Sequence, residues 1–190
     1  MPWLNAEPND TLKDMTIFIE TDRLILREIV PKDTGDMFKL DSDPNVHKYL
    51  GKRPISCKHK ALCNINYIRM QYETYGIGRW AAIEKHSGDF IGWTGLKMNF
   101  EDTMNGHSNF YDIGYRFMPQ YWGKGYATES SIAARDYFFK HFPNQKLVGM
   151  AELENAASCR ILEKIGLERK ADFIFEPENL PLAWFEQEPN

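Results

Sequence analysis

Between Met118 and Glu129 the chain reads Met-Pro-Gln-Tyr-Trp-Gly-Lys-Gly-Tyr-Ala-Thr-Glu. A strand-like run over 111–117 leads into this segment, and a helix-like run over about 127–142 leaves it. A strand that feeds a helix so directly belongs to a fold in which helices cover a sheet. Two glycines around Lys124 let the backbone come close to a ligand, because no Cβ blocks the approach. The helix that follows opens with N–H groups that lack intrahelical partners. Such a junction suits the phosphates of an anionic cofactor.

The remaining periodicities agree with a layered domain. Residues 21–29 alternate apolar and polar, as a half-buried strand does. Pro31 and Asp33 open a short helix to about Leu40, which the stretch before Pro44 stops. Residues 58–75 place Ala61, Leu62, Ile65, Ile68, Tyr72 and Tyr75 on one helical face. Residues 79–84 and 89–98 read as a hairpin around Gly88. A short strand is expected at 147–151 and a helix at 155–165 closed by Gly166, with two last strands at 168–175 and 182–188. The order is strand, two helices, three strands, helix, strand, helix, two strands. It predicts an α/β or α+β domain on a mixed sheet. Residues 1–18 read as a flexible N-terminal arm and 19–190 as a single domain.

Composition narrows the function. The net charge of −4 argues against a nucleic-acid surface, which needs a cationic excess. Cys57, Cys63 and Cys159 form no CxxC pair, so neither zinc nor dithiol chemistry is indicated. A sparse, odd cysteine count fits a reducing cytosol, and no run approaches membrane-spanning length. The five histidines show no ligand spacing, so no metal is expected. Gly76-Ile77-Gly78-Arg79-Trp80-Ala81 has the letters of a dinucleotide fingerprint but runs from helix to strand, the reverse of the required order. Gly123-Lys124-Gly125 is not a P-loop, since no Ser or Thr follows the lysine.

Gln120-x-x-Gly123-x-Gly125 followed by Ala127 has a different kinship. It stands with Thr21-Asp22-Arg23-Leu24-Ile25-Leu26-Arg27, Ile91-Gly92-Trp93-Thr94-Gly95-Leu96 and Ile113-Gly114-Tyr115. Asn155-Ala156-Ala157-Ser158 and Leu162-Glu163-Lys164-Ile165-Gly166-Leu167 complete the set. In this order the chain resembles the GNAT superfamily of acetyl-CoA-dependent N-acetyltransferases. The pattern is closest to the Rim-type branch, which includes acetyltransferases of ribosomal-protein N-termini. The resemblance implies the GNAT fold, a mixed, mostly antiparallel sheet of about seven strands flanked by about four helices. It implies acetyl-CoA as cosubstrate and a primary amine as acceptor, either a protein N-terminus or a small molecule. It implies no nucleic-acid or membrane partner and a cytoplasmic enzyme, and leaves a homodimer open. A CoA-binding sensor or assembly module without turnover is the alternative reading.

What the resemblance implies can be placed on residues. Amides of Gly123, Gly125, Tyr126, Ala127 and Thr128 would hold the pyrophosphate, with Lys124 adding charge and Gln120 opening the motif. Tyr115 to Met118 would be the strand end beside the pantetheine arm, which an exposed strand edge can bind by main-chain hydrogen bonds, and amides near Phe117 or Met118 would polarise the thioester. Asn155 would hold the cofactor arm, and Ser158 would assist the departing thiolate. Many relatives place a tyrosine on that helix, and none stands here between Asn155 and Gly166. Helix capping explains Asn155 and Ser158 equally well. Candidates for the general base are Glu129, Asp112 and Glu152, though Glu129 also suits a helix dipole.

Overall fold

The computed structural model describes residues 15–189. Its elements run in the order β1 (Ile17–Glu20), β2 (Leu24–Arg27), α1 (Thr34–Ser42), α2 (Lys58–Tyr75), β3 (Arg79–Glu84), β4 (Phe90–Asn99) and β5 (Phe110–Phe117). Then come α3 (Tyr126–His141), β6 (Leu147–Glu152), α4 (Ala156–Lys164), β7 (Glu168–Arg169), β8 (Phe173–Phe175) and β9 (Leu180–Gln187). One sheet runs β1-β2-β3-β4-β5-β6-β9, with β7 and β8 both paired to β9. Every pairing is antiparallel except β5 with β6. The long connection from β5 through α3 to β6 is what allows that parallel pair.

Among the described residues the sheet has nine strands where about seven were expected, for two reasons. Ile17 and Phe18 join the sheet as part of β1, so the expected arm over 1–18 ends earlier, and most of it lies outside the described residues. Phe18 stacks on Trp80 with ring centroids 5.3 Å apart, which gives this short strand an apolar anchor. The strand expected over 168–175 breaks into β7 and β8. Between them Arg169 closes back on Asp172 at 3.0 Å, and the Lys170 N–H donates to Trp184 C=O.

Side chains alternate between two cores on the two faces of the sheet. Leu24, Leu26, Trp80, Ile113 and Phe117 meet Ala134 and Phe138 of α3 and Leu162 of α4. On the other face Ile29, Ala81 and Phe90 meet Met37 and Leu40 of α1 and Ala61, Ile65 and Ile68 of α2. α2 spans the expected 58–75 and ends at Gly76, whose φ of 69° no Cβ opposes. α1 runs two residues past Leu40, to Ser42, and Asp43 turns extended ahead of Pro44. Arg27 and Asp33, both buried, pair at 2.7 Å and tie β2 to the turn that opens α1. Among the described residues no helix is long and apolar enough to cross a membrane.

Candidate active site

From the end of β5 the chain makes a 3-10 turn at Pro119–Tyr121, passes Gly123, Lys124 and Gly125, and enters α3. Gly123 and Gly125 have φ of 73° and 84°, left-handed values that a side chain would strain. Trp122 N–H donates back to Pro119 C=O, and the next backbone bond is Glu129 N–H to Gly125 C=O at 3.0 Å. Among the described residues, therefore, the amides of residues 123 to 128 have no acceptor. Gly125 is the N-cap and has no side chain to fill the gap. Successive open amides at the positive end of a 16-residue helix form a cradle for a diphosphate.

The β1–β2 turn fixes this cradle. Arg23 donates from Nη1 to Lys124 C=O at 2.9 Å and lies 4.4 Å over the Tyr126 ring. Its Nε donates to Glu129 Oε2 at 2.7 Å and its amide to Glu129 Oε1 at 3.0 Å. The Thr21 hydroxyl donates to the same Oε1 at 2.6 Å. Burial pushes the Glu129 pKa up, but Thr21 and Arg23 outweigh it and hold the carboxyl below its ordinary value. Lys124 stands over the Tyr121 ring at 5.2 Å, and Gln120 Nε2 donates to Met118 Sδ at 3.6 Å.

A wedge opens beside the cradle. β5 and β6 pair over three residues only, Tyr111 with Leu147, Asp112 with Val148 and Ile113 with Gly149. Beyond them β5 stays on β4 as far as Phe117, and β6 stays on β9 as far as Glu152. Each strand is held from outside, so the two diverge. Met118 N–H donates to Ile91 C=O at 2.9 Å, away from the wedge, and Met118 C=O accepts from Tyr121. Both main-chain groups of Met118 are therefore spent, and its expected part in polarising a carbonyl has no free donor. Strand alternation turns the main-chain groups of Tyr115 and Phe117 to the wedge instead. Phe117 C=O accepts the Trp122 indole N–H at 2.6 Å.

Asn155 and Ser158 stand at the start of α4, on the β6 side of the wedge. Asn155 Oδ1 accepts Ser158 N–H at 3.1 Å, the capping contact, and among the described residues the Asn155 amide nitrogen has no acceptor. The Ser158 hydroxyl lies 2.8 Å from the hydroxyl of Tyr115, which arrives from β5. The tyrosine absent from α4 thus has a counterpart on the facing strand. Burial pushes the Tyr115 phenol well above its ordinary pKa. Cys159 beside it is buried, and burial raises its thiol too, so it makes a poor nucleophile.

Asp112 lies elsewhere. It sits on the opposite face of β5 from Tyr115, at a position still paired to β6, and binds Arg79 at 2.6 Å. One residue past Tyr115, Arg116 binds the buried Asp41 at 2.6 Å. Trp93 lies between these two pairs, with the Arg79 and Arg116 guanidiniums 5.3 and 5.1 Å from its ring. Glu152, at the end of β6, accepts Gly51 N–H at 2.7 Å and holds the segment after the 3-10 turn Val46–Tyr49 against the sheet. Sequence reasoning assigned no role to Thr21 or Arg23, and none to the Tyr115 hydroxyl, although all three residues lie within the recurring pieces quoted above. Among the described residues no group of His, Cys, Asp or Glu is placed to hold a metal.

The pattern that defines the acetyltransferase (GNAT) domain matches residues 23–168. The uncharacterized N-acetyltransferase YnaD of Bacillus subtilis is 29% identical over 163 residues, which cover 82% of this chain and 85% of that protein. A GNAT-family acetyltransferase from Bacillus anthracis superposes with a TM-score of 0.74 at 24% identity, over 90% of this chain and 98% of that one. The ribosomal alpha-N-protein acetyltransferase RimL, in complex with coenzyme A, superposes with a TM-score of 0.72 at 12% identity, over 92% and 98%.

Proposed function

This chain belongs to the acetyltransferase (GNAT) family, and from that premise we propose how its residues divide the work of moving an acetyl group from acetyl-CoA to a primary amine. Acetyl-CoA supplies a thioester, a carbonyl carbon that an amine can attack and a sulfur that can leave. The open amides of residues 123 to 128 take the diphosphate. Main-chain groups of Tyr115 and Phe117 take the amide-bearing arm, in the manner of an added strand. The free amide nitrogen of Asn155 faces the same arm from α4. The Phe117 amide is the donor placed to polarise the carbonyl.

The charged amine first gives up one proton to solvent; a carbon–nitrogen bond then forms as the carbon–sulfur bond breaks, the nitrogen loses a second proton and the sulfur takes one. Ser158 donates a hydrogen bond to the departing sulfur. Of the three sequence candidates for the base, Glu129 and Asp112 each hold a cationic partner at 2.6 Å, and Glu152 accepts Gly51 N–H at 2.7 Å. We therefore assign them to architecture, Glu129 to the cradle and Asp112 to the Trp93 face. The amine approaches from the face of Trp93, where Asp41, Asp112 and Glu152 are all engaged. Asp41 and Asp112 are each paired with an arginine, which leaves little negative charge there for a polycation and favours a singly charged amine. A protein N-terminus, as in the Rim-type branch, fits this description.

The observation that carries the reading is the row of open amides beside a wedge in the sheet. Calorimetric titration with CoA tests it. Gly125→Val places a branched side chain at φ 84° and should abolish binding while the circular dichroism spectrum stays native. Undiminished affinity in that variant removes the cradle from the site. Mass spectrometry of peptides with free N-termini, incubated with acetyl-CoA and the enzyme, tests the acceptor.

A further inference from the structure

Tyr115 stands on β5 just beyond the last residue that pairs with β6. Its side chain reaches across the opening to the first turn of α4. There its hydroxyl lies 2.8 Å from Ser158 Oγ and donates to Ser158 C=O at 3.0 Å. The Asn155 cap fixes the backbone of that turn through Ser158 N–H. Two hydroxyls from two elements are thus held together at the place where the strands part.

Each hydroxyl has one proton to give. While Tyr115 donates to Ser158 C=O, the 2.8 Å contact is filled by the serine proton, and Ser158 has none left for a ligand. When Tyr115 turns its proton onto Oγ, the serine proton is released to point elsewhere. The two arrangements exchange by rotation of two O–H bonds, with no net charge moved.

We infer that Tyr115 is a positioning residue that sets the direction of the Ser158 proton, turning it toward a sulfur anion in the wedge and standing behind it as a second donor. The inference rests on the role given to Ser158 under Proposed function. A serine hydroxyl alone is a modest donor, and a second hydroxyl behind it polarises it further. Burial raises the Tyr115 phenol, so it keeps its proton at neutral pH and acts by hydrogen bonding rather than by ionising. The pair therefore explains how a serine can serve on a helix that carries no tyrosine.

CoA itself is the probe, and no acceptor is needed. The ultraviolet absorbance of the thiolate, followed against pH for CoA bound to the protein, reports the acidity of the bound thiol. Ser158→Ala should make that thiol about tenfold less acidic. Tyr115→Phe should make it about threefold less acidic, and should add nothing when Ser158 is already alanine. Ser158→Thr, which keeps the hydroxyl, should restore most of the acidity. An equal effect of Tyr115→Phe with and without the serine hydroxyl overturns the inference. So does no effect of Tyr115→Phe while Ser158→Ala keeps its own, and both results leave the Ser158 role intact. No effect of Ser158→Ala removes that role, and the inference with it. Should Tyr115→Phe lose CoA binding, ring-fluorinated tyrosine at position 115 decides. It is a stronger donor of nearly the same shape, and should make the bound thiol more acidic than in the native protein; an unchanged thiol overturns the inference.

Discussion

The Glu129 carboxylate receives the Thr21 hydroxyl, the Arg23 amide and Arg23 Nε, all from the β1–β2 turn. A carboxylate one turn into a helix complements the dipole whatever else it does. Here it also fastens the first hairpin to the cradle. Its folded pKa lies below the unfolded value, so the stability it contributes is complete above the unfolded carboxylate pKa of about 4.3 and is lost as pH falls through the folded one. Arg23 is 44% exposed, so solvent screens part of the pair. Glu129→Gln should cost about 1 kcal/mol near neutral pH. Urea titrations near neutrality and at about pH 3 should show the difference from the native protein closing as the carboxylate is protonated. The same variant should bind CoA more weakly with kcat little changed. A collapse of kcat at unchanged CoA affinity would return Glu129 to the chemistry.

At the scale of elements, α4 shows how a cap doubles as site geometry. Asn155 satisfies one orphan amide of a nine-residue helix, and that amide belongs to Ser158. Asn155→Ala should lower stability by about 1 kcal/mol, a fall in Tm of about 2–4 °C for a chain this size. Asn155→Asp should recover the stability, because it restores a capping oxygen, but not the CoA affinity, because it removes the amide donor. Differential scanning calorimetry beside CoA titration separates the two roles. If Asn155→Asp binds CoA as well as the native protein, the side chain serves the helix alone. Most of these elements were legible. α2 and its glycine stop, the β3–β4 hairpin and the helix after Gly125 announce themselves by local periodicity and by residues with restricted backbones. β1 was less so, because Phe18 owes its place to Trp80, sixty-two positions away in sequence.

The whole molecule is organised around a failure of pairing. β5 and β6 share three residue pairs, whereas β4 and β5 share eight, from Gly92 with Phe117 to Asn99 with Phe110. The wedge that results exposes strand main chain in the middle of a sheet and lies next to the open amides of residues 123–128. Such amides should exchange hydrogen quickly in the free protein, since none of the described residues accepts them. CoA should slow exchange across residues 123–128 and at Tyr115 and Phe117, while β3 and the first half of α2 stay unchanged. Hydrogen-exchange mass spectrometry with and without CoA reads this directly. Protection confined to the surface around Gly166 and Glu168 would place the ligand elsewhere.

The order of strands and helices, the glycine cradle and the capped start of α4 were determined by residues close together in the chain. In each, local sterics or an unmet amide restricts the backbone whatever lies farther away. Which carboxylates are free was decided only by the folded chain. Asp112 and Glu129 look alike as candidates until Arg79 from β3 and Arg23 from the β1–β2 turn arrive and occupy them. Tyr115 likewise reads as one strand residue among several until β6 diverges and leaves its hydroxyl with Ser158, forty-three positions on. Ion pairs and hydroxyl contacts need partners within a few ångströms, and that proximity comes from the packing of elements rather than from sequence neighbours.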